Sequence, residues 1–315
     1  MNNRRSFITG IKSTTLSVIE KKFLHKYKPW GVILFSRNIK SLKQGKKLTD
    51  QIKKIFKDDY YPILIDQEGG RVNRLKNFFN AELFTSEFFG KLYLTDKIKF
   101  YDYYKIFIKH TSFLLKSIGA NINTLPVLDL RSKGSSSIIG DRSFSNNPKI
   151  VSKLGDICID NFHSNKIGTV IKHIPGHGLA KVDSHKSTPI VNKNLNYLIK
   201  NDFLTFRKKS SLFAMTAHIV YTKIDNENTA THSKKIIQLI RNNIKFKNII
   251  MSDDISMNSL KGSIKVNTLR AFKAGCDLVL HCNGDYKEMN EVALHSPLIS
   301  KFIIKKTSQF YKIIS

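Results

Sequence analysis

"GTVIKHIPGHG" (168–178) begins as an apolar run and ends as a polar turn. Pro175 and Gly176 stop any helix through it, so it reads as a strand end followed by a turn. Seven other stretches have β-rich composition: "FITG" (7–10), "GVILF" (31–35), "PILID" (62–66), "NINTLPV" (121–127), "LFAMTAH" (212–218), "NIIMSDD" (248–254) and "DLVLHCN" (277–283). Several are near-continuous apolar segments, as expected of parallel strands covered on both faces. Stretches with helical spacing lie between them, among them "LTDQIKKIF" (48–56), "KIVSKLGDICIDNFHS" (149–164) and "SKKIIQLIRNN" (233–243). Eight β/α alternations predict a single (β/α)8 TIM-type barrel in the α/β class. The rival is a doubly wound open sheet, and no Gly-rich phosphate fingerprint follows a strand to favour it. No linker or low-complexity segment divides the chain, so residues 1–315 are expected to form one domain. "RSKGSSSIIG" (131–140) reads as a surface loop. "EVALHSPLISKFIIKKTSQFYKIIS" (291–315) reads as a final helix.

The strand-like runs end polar: "LID" into "QEGGR", "IKH" into "IPGHG", then "AMTAH", "IIMSDD" and "VLHCN". In a β/α barrel the C-terminal strand ends form the working face. Five such ends on one rim would build a concave site rich in Asp, His, Lys and Arg.

Composition bounds the function. The net charge is +29. That suggests nucleic acid or anionic lipid, or attraction of an anionic small substrate. The lysines are scattered, however, as in "KKFLHKYK" and "KQGKKLTDQIKK", where amphipathic helices would show a wet face. Solvated helix faces are therefore expected, with no nucleic-acid and no membrane partner. No 18-residue apolar run is present, and the N-terminus shows no secretory signal. The three cysteines, Cys158, Cys276 and Cys282, form no CxxC pair. Free buried thiols in a cytoplasmic protein are the expectation.

"KHIPGHGLAKVDSH" (172–185) packs three histidines and an aspartate into a short span. His173 and His177 are four apart, but the Pro-Gly between them breaks the helix a two-ligand metal site would use. No metal is expected. Asp183 and His185 are two apart, so an extended chain points both to one side. A carboxylate on one imidazole nitrogen leaves the other free to give and take a proton. The bland alternative is an Asp-Ser-His turn capping a helix. In "MSDDISM" (251–257) the adjacent Asp253 and Asp254 face opposite ways on a strand. One can enter the barrel mouth, though capping aspartates after a strand are common. An aspartate opposite an acid/base residue, in a pocket with Arg and Lys, suits glycosidic chemistry.

These segments together resemble the single-domain bacterial β-N-acetylhexosaminidases of glycoside hydrolase family 3, the NagZ type. The resemblance runs through "PWGVILFSRNI" (29–39), "LIDQEGGRVNRL" (64–75), "LPVLDL" (125–130), "IIGDRSF" (138–144), "KHIPGHG....DSH" (172–185), "AMTAHIVY" (214–221), "IIMSDDISMNSL" (249–260) and "AGCDLVLHCNGD" (274–285). It implies a retaining, two-step removal of terminal N-acetylglucosamine. Asp253 matches the nucleophile, His185 the acid/base and Asp183 its dyad partner. Asp66, Arg74, Arg142, Lys172 and His173 match positions that bind sugar hydroxyls. The implied substrate is a muropeptide, N-acetylglucosamine on 1,6-anhydro-N-acetylmuramic acid, released in cytoplasmic cell-wall (peptidoglycan) recycling by a monomer with no cofactor. Many relatives carry a second domain with a glutamate acid/base. Here a barrel loop is expected to supply that group. Asn123 and Thr124 depart from the relatives and are expected to touch packing more than chemistry. Gly69, Gly70, Gly176 and Gly178 are expected in tight turns. His177 reads equally as structural, and His218 as lining or buttressing the pocket. Alternatives are a β-glucosidase-like enzyme of the same family, a non-catalytic sugar-binding protein and a nucleic-acid binder.

Overall fold

The computed structural model describes residues 3–132, 138–182 and 187–315. Eight strands close a parallel barrel: β1 (Arg5–Gly10), β2 (Pro29–Leu34), β3 (Ile63–Ile65), β4 (Ile122–Asn123), β5 (Gly168–Ile174), β6 (Phe213–Thr216), β7 (Ile249–Asp254) and β8 (Leu278–His281). They run in chain order around the ring, and β1 pairs with β8. Each falls inside or overlaps one of the eight apolar runs, so the barrel expectation is borne out.

The strands read as continuously apolar because two cores share them. Ile8, Ile33, Leu64, Ile122, Val170, Met215, Met251, Leu278 and Leu280 point into the barrel. Their neighbours Phe7, Val32, Ile63, Ile65, Ile171, Ala214, Ile250 and Val279 point outward into the shell under the helices. This is the two-residue period of a strand with both faces covered.

Helices wrap that shell. Those between the strands are α1 (Val18–Tyr27), α2 (Leu42–Phe56), α3 (Ser86–Thr95), α4 (Lys97–Ser117), α5 (Pro148–Ser164), α6 (Leu195–Lys200), α7 (Lys234–Leu239) and α8 (Ile264–Ala274). Their starts are chemically marked. Ser17 and Glu20 form a capping box at α1. Asn147 caps α5 with Pro148 in its first turn, and Gly275 ends α8 in a left-handed conformation. A π-helical turn over Ile240–Ile244 continues α7.

The single helix expected over 291–315 is instead two, α9 (Tyr286–His295) and α10 (Lys301–Ile314). Pro297 separates them, since it lacks an N–H and pushes the preceding residue out of the helical region. The break lets α10 turn under the N-terminal end of the barrel. There Phe310 packs edge-on against Phe213, and Trp30 Nε1 donates to Thr307 Oγ1 at 2.8 Å. The opposite, C-terminal end is left for the polar residues.

Candidate active site

The inward period continues one step past the last apolar layer. Two residues beyond Leu64 stands Asp66, and two beyond Ile122 stands Thr124. Two beyond Val170 stands Lys172, two beyond Met251 Asp253 and two beyond Leu280 Cys282. All but Thr124 line a cavity of about 300 Å³, which Glu68, Arg71, Arg74, Ile138, Ile139, Arg142, His173, His177, Met215 and Leu280 help to close.

A hairpin after β3 (Gln67–Gly69 paired with Val72–Asn73) carries part of this wall. Gly69 has φ +98°, and a Cβ there would sit 2.2 Å from the Phe84 carbonyl oxygen, so no side chain fits. The hairpin swings Arg74 back over Asp66, with Nη2 to Oδ2 at 3.3 Å. Asp66 Oδ1 accepts from Lys172 Nζ at 3.2 Å and from the Thr124 hydroxyl. Burial alone would raise the Asp66 pKa, but Lys172, Arg74 and these hydrogen bonds hold it well below the carboxylate range.

Glu68, to which no sequence motif gives a role, binds two of the expected sugar-binding cations at once. Its carboxylate takes a bidentate pair from Arg142, Nε to Oε2 and Nη2 to Oε1, both at 2.8 Å. Its Oε1 also lies 2.6 Å from Lys172 Nζ. Burial pushes Glu68 up, Arg142 and Lys172 pull it down further, and it settles at about 2. Arg142 reaches this position from a 3-10 turn (Gly140–Arg142). Ile138 and Ile139 precede that turn and stand in the cavity wall, Ile139 with 2 % exposure. The surface-loop expectation for 131–140 therefore fails at its end, while 133–137 lie outside the described residues. Thr124 also overturns its expectation. It bridges Asp66 and Lys172, the latter at 2.8 Å, so it supports the polar cluster rather than packing alone.

His173 is buried, and its Nδ1 meets Asp129 Oδ2 at 2.7 Å. Asp129 is fully buried and also accepts the His177 N–H at 2.6 Å. His177 lines the cavity, with its ring 5.6 Å from that of His173. Burial, then the proximity of His173, bring it down to about 4, so it is neutral near pH 7. Among the described residues, no group of three or more His, Cys, Asp or Glu is arranged to hold a metal ion.

The two aspartates of "SDD" split as their alternation requires. Asp253 faces the cavity and accepts the Asp254 N–H at 2.8 Å. Asp254 turns aside to cap Ser256, taking its N–H at 3.0 Å and its O–H at 2.8 Å. Burial would raise the Asp253 pKa, but His218, His173, the Asp254 N–H and Lys172 lower it below the ordinary value. The result is an ionised carboxylate in a small cavity. His218 does not line that cavity. It buttresses β7, with Nε2 donating to the Asp254 carbonyl at 3.0 Å and Nδ1 2.7 Å from Thr231 Oγ1. Cys158 and Cys276 are buried free thiols, as expected, whereas Cys282 is half-buried in the cavity wall. Asp183 and His185, the expected dyad, lie outside the described residues.

The structure thus brings Asp66, Arg74, Arg142, Lys172, His173 and Asp253 to one mouth. The sequence profile of the "Glycosyl hydrolase family 3 N terminal domain" matches residues 11–300. The chain belongs to this family.

Within glycosyl hydrolase family 3, the β-hexosaminidase of Hydrogenovibrio crunogenus is 33% identical over 281 residues, 88% of this chain and 78% of that protein. The β-hexosaminidase of Nitrosomonas eutropha is 32% identical over 286 residues, 87% of this chain and 79% of its own. Native NagZ from Neisseria gonorrhoeae superposes with a TM-score of 0.88 at 29% identity, over 98% of this chain and 90% of that one. A second structure of that protein is a complex with N-trifluoroacetyl-D-glucosamine. The chain is a glycoside hydrolase of the β-hexosaminidase type.

Proposed function

We propose that the chain acts as a single-domain, retaining exo-β-N-acetylglucosaminidase. The observation that carries this reading is the ionised Asp253 in a small cavity whose other carboxylates, Asp66 and Glu68, are paired with cations. Asp253 attacks the anomeric carbon as the bond to the leaving oxygen breaks, giving a glycosyl ester. His185, supported by Asp183, gives its proton to that oxygen. Now neutral, it takes a proton from water, which attacks the same carbon and frees the Asp253 carboxylate. Nucleophile and acid/base roles come from the "SDD" and "DSH" motifs. A histidine in the acid role places no second negative charge beside the nucleophile.

Asp66 accepts from sugar hydroxyls, Arg74, Arg142 and Lys172 donate to them, and His173 adds a further polar contact. The neisserial complex with a glucosamine derivative supports an N-acetylhexosamine in this cavity. The proposed substrate is N-acetylglucosamine linked to 1,6-anhydro-N-acetylmuramic acid, cleaved in the cytoplasm during peptidoglycan recycling. A monomer would do this without cofactor, nucleic acid or membrane. Among the described residues no helix is long and apolar enough to cross a membrane.

The test is mass spectrometry after treatment with a fluorinated slow N-acetylglucosaminide. A labelled peptide containing residue 253 is expected. Turnover without such a peptide would favour attack by the substrate's own acetamide oxygen. Faster cleavage of an aryl glucoside than of the aryl N-acetylglucosaminide would favour a glucosidase. Binding of N-acetylglucosamine with no turnover would mark a sugar-binding protein.

A further inference from the structure

A carboxylate–imidazole pair stands at the cavity wall, the ring of His173 lining the cavity and the carboxylate of Asp129 fully buried behind it. We propose that Asp129 is a positioning residue that locks His173 with its proton on Nδ1, so that Nε2 is presented to the sugar.

Asp129 follows β4 on a segment bridged to β5, where the Leu128 N–H donates to the Lys172 carbonyl at 2.7 Å. This brings its carboxylate under the polar turn. Oδ2 meets His173 Nδ1 at 2.7 Å, Oδ1 accepts the His177 N–H at 2.6 Å, and the His173 N–H lies 3.2 Å from both oxygens. Burial raises the Asp129 pKa, but the His173 and His177 contacts lower it overall, and the group is ionised. An ionised carboxylate only accepts, so Nδ1 must carry the hydrogen. A neutral imidazole has one such hydrogen, which leaves Nε2 with a free lone pair. Nε2 has no hydrogen-bond partner among the described residues, yet it is not a buried orphan, and the ring lines the cavity beside Asp253.

Asp129 could instead matter only by holding the turn through His177. The two roles separate in Asp129→Asn. An amide can keep its oxygen on the His177 N–H, but its NH2 then faces His173 Nδ1. The imidazole must accept there, and its proton moves to Nε2.

Two measurements decide. In ring-15N NMR of the wild-type enzyme at roughly pH 8.5, two units above the ordinary histidine pKa, His173 should show protonated Nδ1 and bare Nε2. The reverse should hold in Asp129→Asn. A wild-type ring with bare Nδ1 overturns the proposal, whether or not the variant folds. The second measurement is a kinetic cycle on an aryl N-acetylglucosaminide. Asp129→Asn should lower kcat/KM by roughly 10- to 100-fold, the worth of a hydrogen bond to a charged group. In a His173→Asn background it should cost no more than about 2-fold. An equal loss in both backgrounds would mean Asp129 acts through the turn and not through His173. The kinetic half rests on the function proposed above. Wild-type protein inert toward every aryl glycoside would remove that function, while the ring spectrum would still decide the pair.

Discussion

Glu68 shows how much a single buried charge can hold. It is the shared partner of Arg142 and Lys172, and the side chains of all three are largely buried. Glu68→Gln keeps the shape and removes the charge. Breaking one partner out of a buried ionic cluster costs about 3–5 kcal/mol, so urea unfolding should show a loss of that order. An unchanged midpoint would mean the cluster rearranges freely.

Asp202 is the opposite case. It is buried, neither side-chain oxygen has a hydrogen-bond partner among the described residues, and burial followed by the proximity of Asp129 raises it to about 7. Between its ordinary pKa near 3.8 and about 7, the folded state binds more protons at this site than the unfolded state. Stability contributed here is present at low pH, falls as pH rises through that window, and is flat above it. The total is on the order of 4 kcal/mol. Asp202→Asn should remove the slope and stabilise the protein at pH 8, as read from urea midpoints across pH. At residue 185, replacement by alanine should slow substrates with poor leaving groups by about 10²–10⁴-fold and activated aryl glycosides far less. Equal losses would take His185 out of the acid role.

At the scale of elements, α10 illustrates a division of labour. Phe310 is fully buried at the barrel's far end, against Phe213 and under Gly168. Phe310→Ala should cost about 3–5 kcal/mol of stability and leave kcat and KM unchanged at temperatures where the variant is folded. A changed KM would show that the floor transmits strain to the mouth. The elements were legible to different degrees for physical reasons. The strands announced themselves because two apolar cores meet on each one, and their polar ends marked the working face. The break at Pro297 was also written in the chain, but helical spacing on both sides of it masked a reversal that the fold requires. Glu68 and Asp129 were not legible as site residues. Each earns its role through a partner far along the chain, 74 residues away for Glu68 with Arg142 and 44 for Asp129 with His173. No local pattern encodes such a meeting.

The whole molecule carries its +29 charge mostly on helix exteriors. Lys43 and Lys47 on α2, Lys97, Lys105 and Lys109 on α4, and Lys301 and Lys305 on α10 are all exposed. This agrees with solvated faces. So many like charges repel across distances that low salt leaves unscreened. Raising NaCl from about 10 mM to about 150 mM shortens the Debye length from roughly 30 to 8 Å, and the urea midpoint should rise. A fall would mean that attractive pairs such as Lys46–Asp50 outweigh the repulsion.

The two-residue beat of the barrel also constrains how such a mouth can change over generations. Asp253 faces the cavity and Asp254 caps Ser256 only because of odd or even standing along β7. Deleting one residue upstream within that strand would trade their places, turning the capping carboxylate toward the cavity and its neighbour into the wall. Variation at the rim must therefore come through exchanges of side chain, with gains and losses of length confined to the connecting segments.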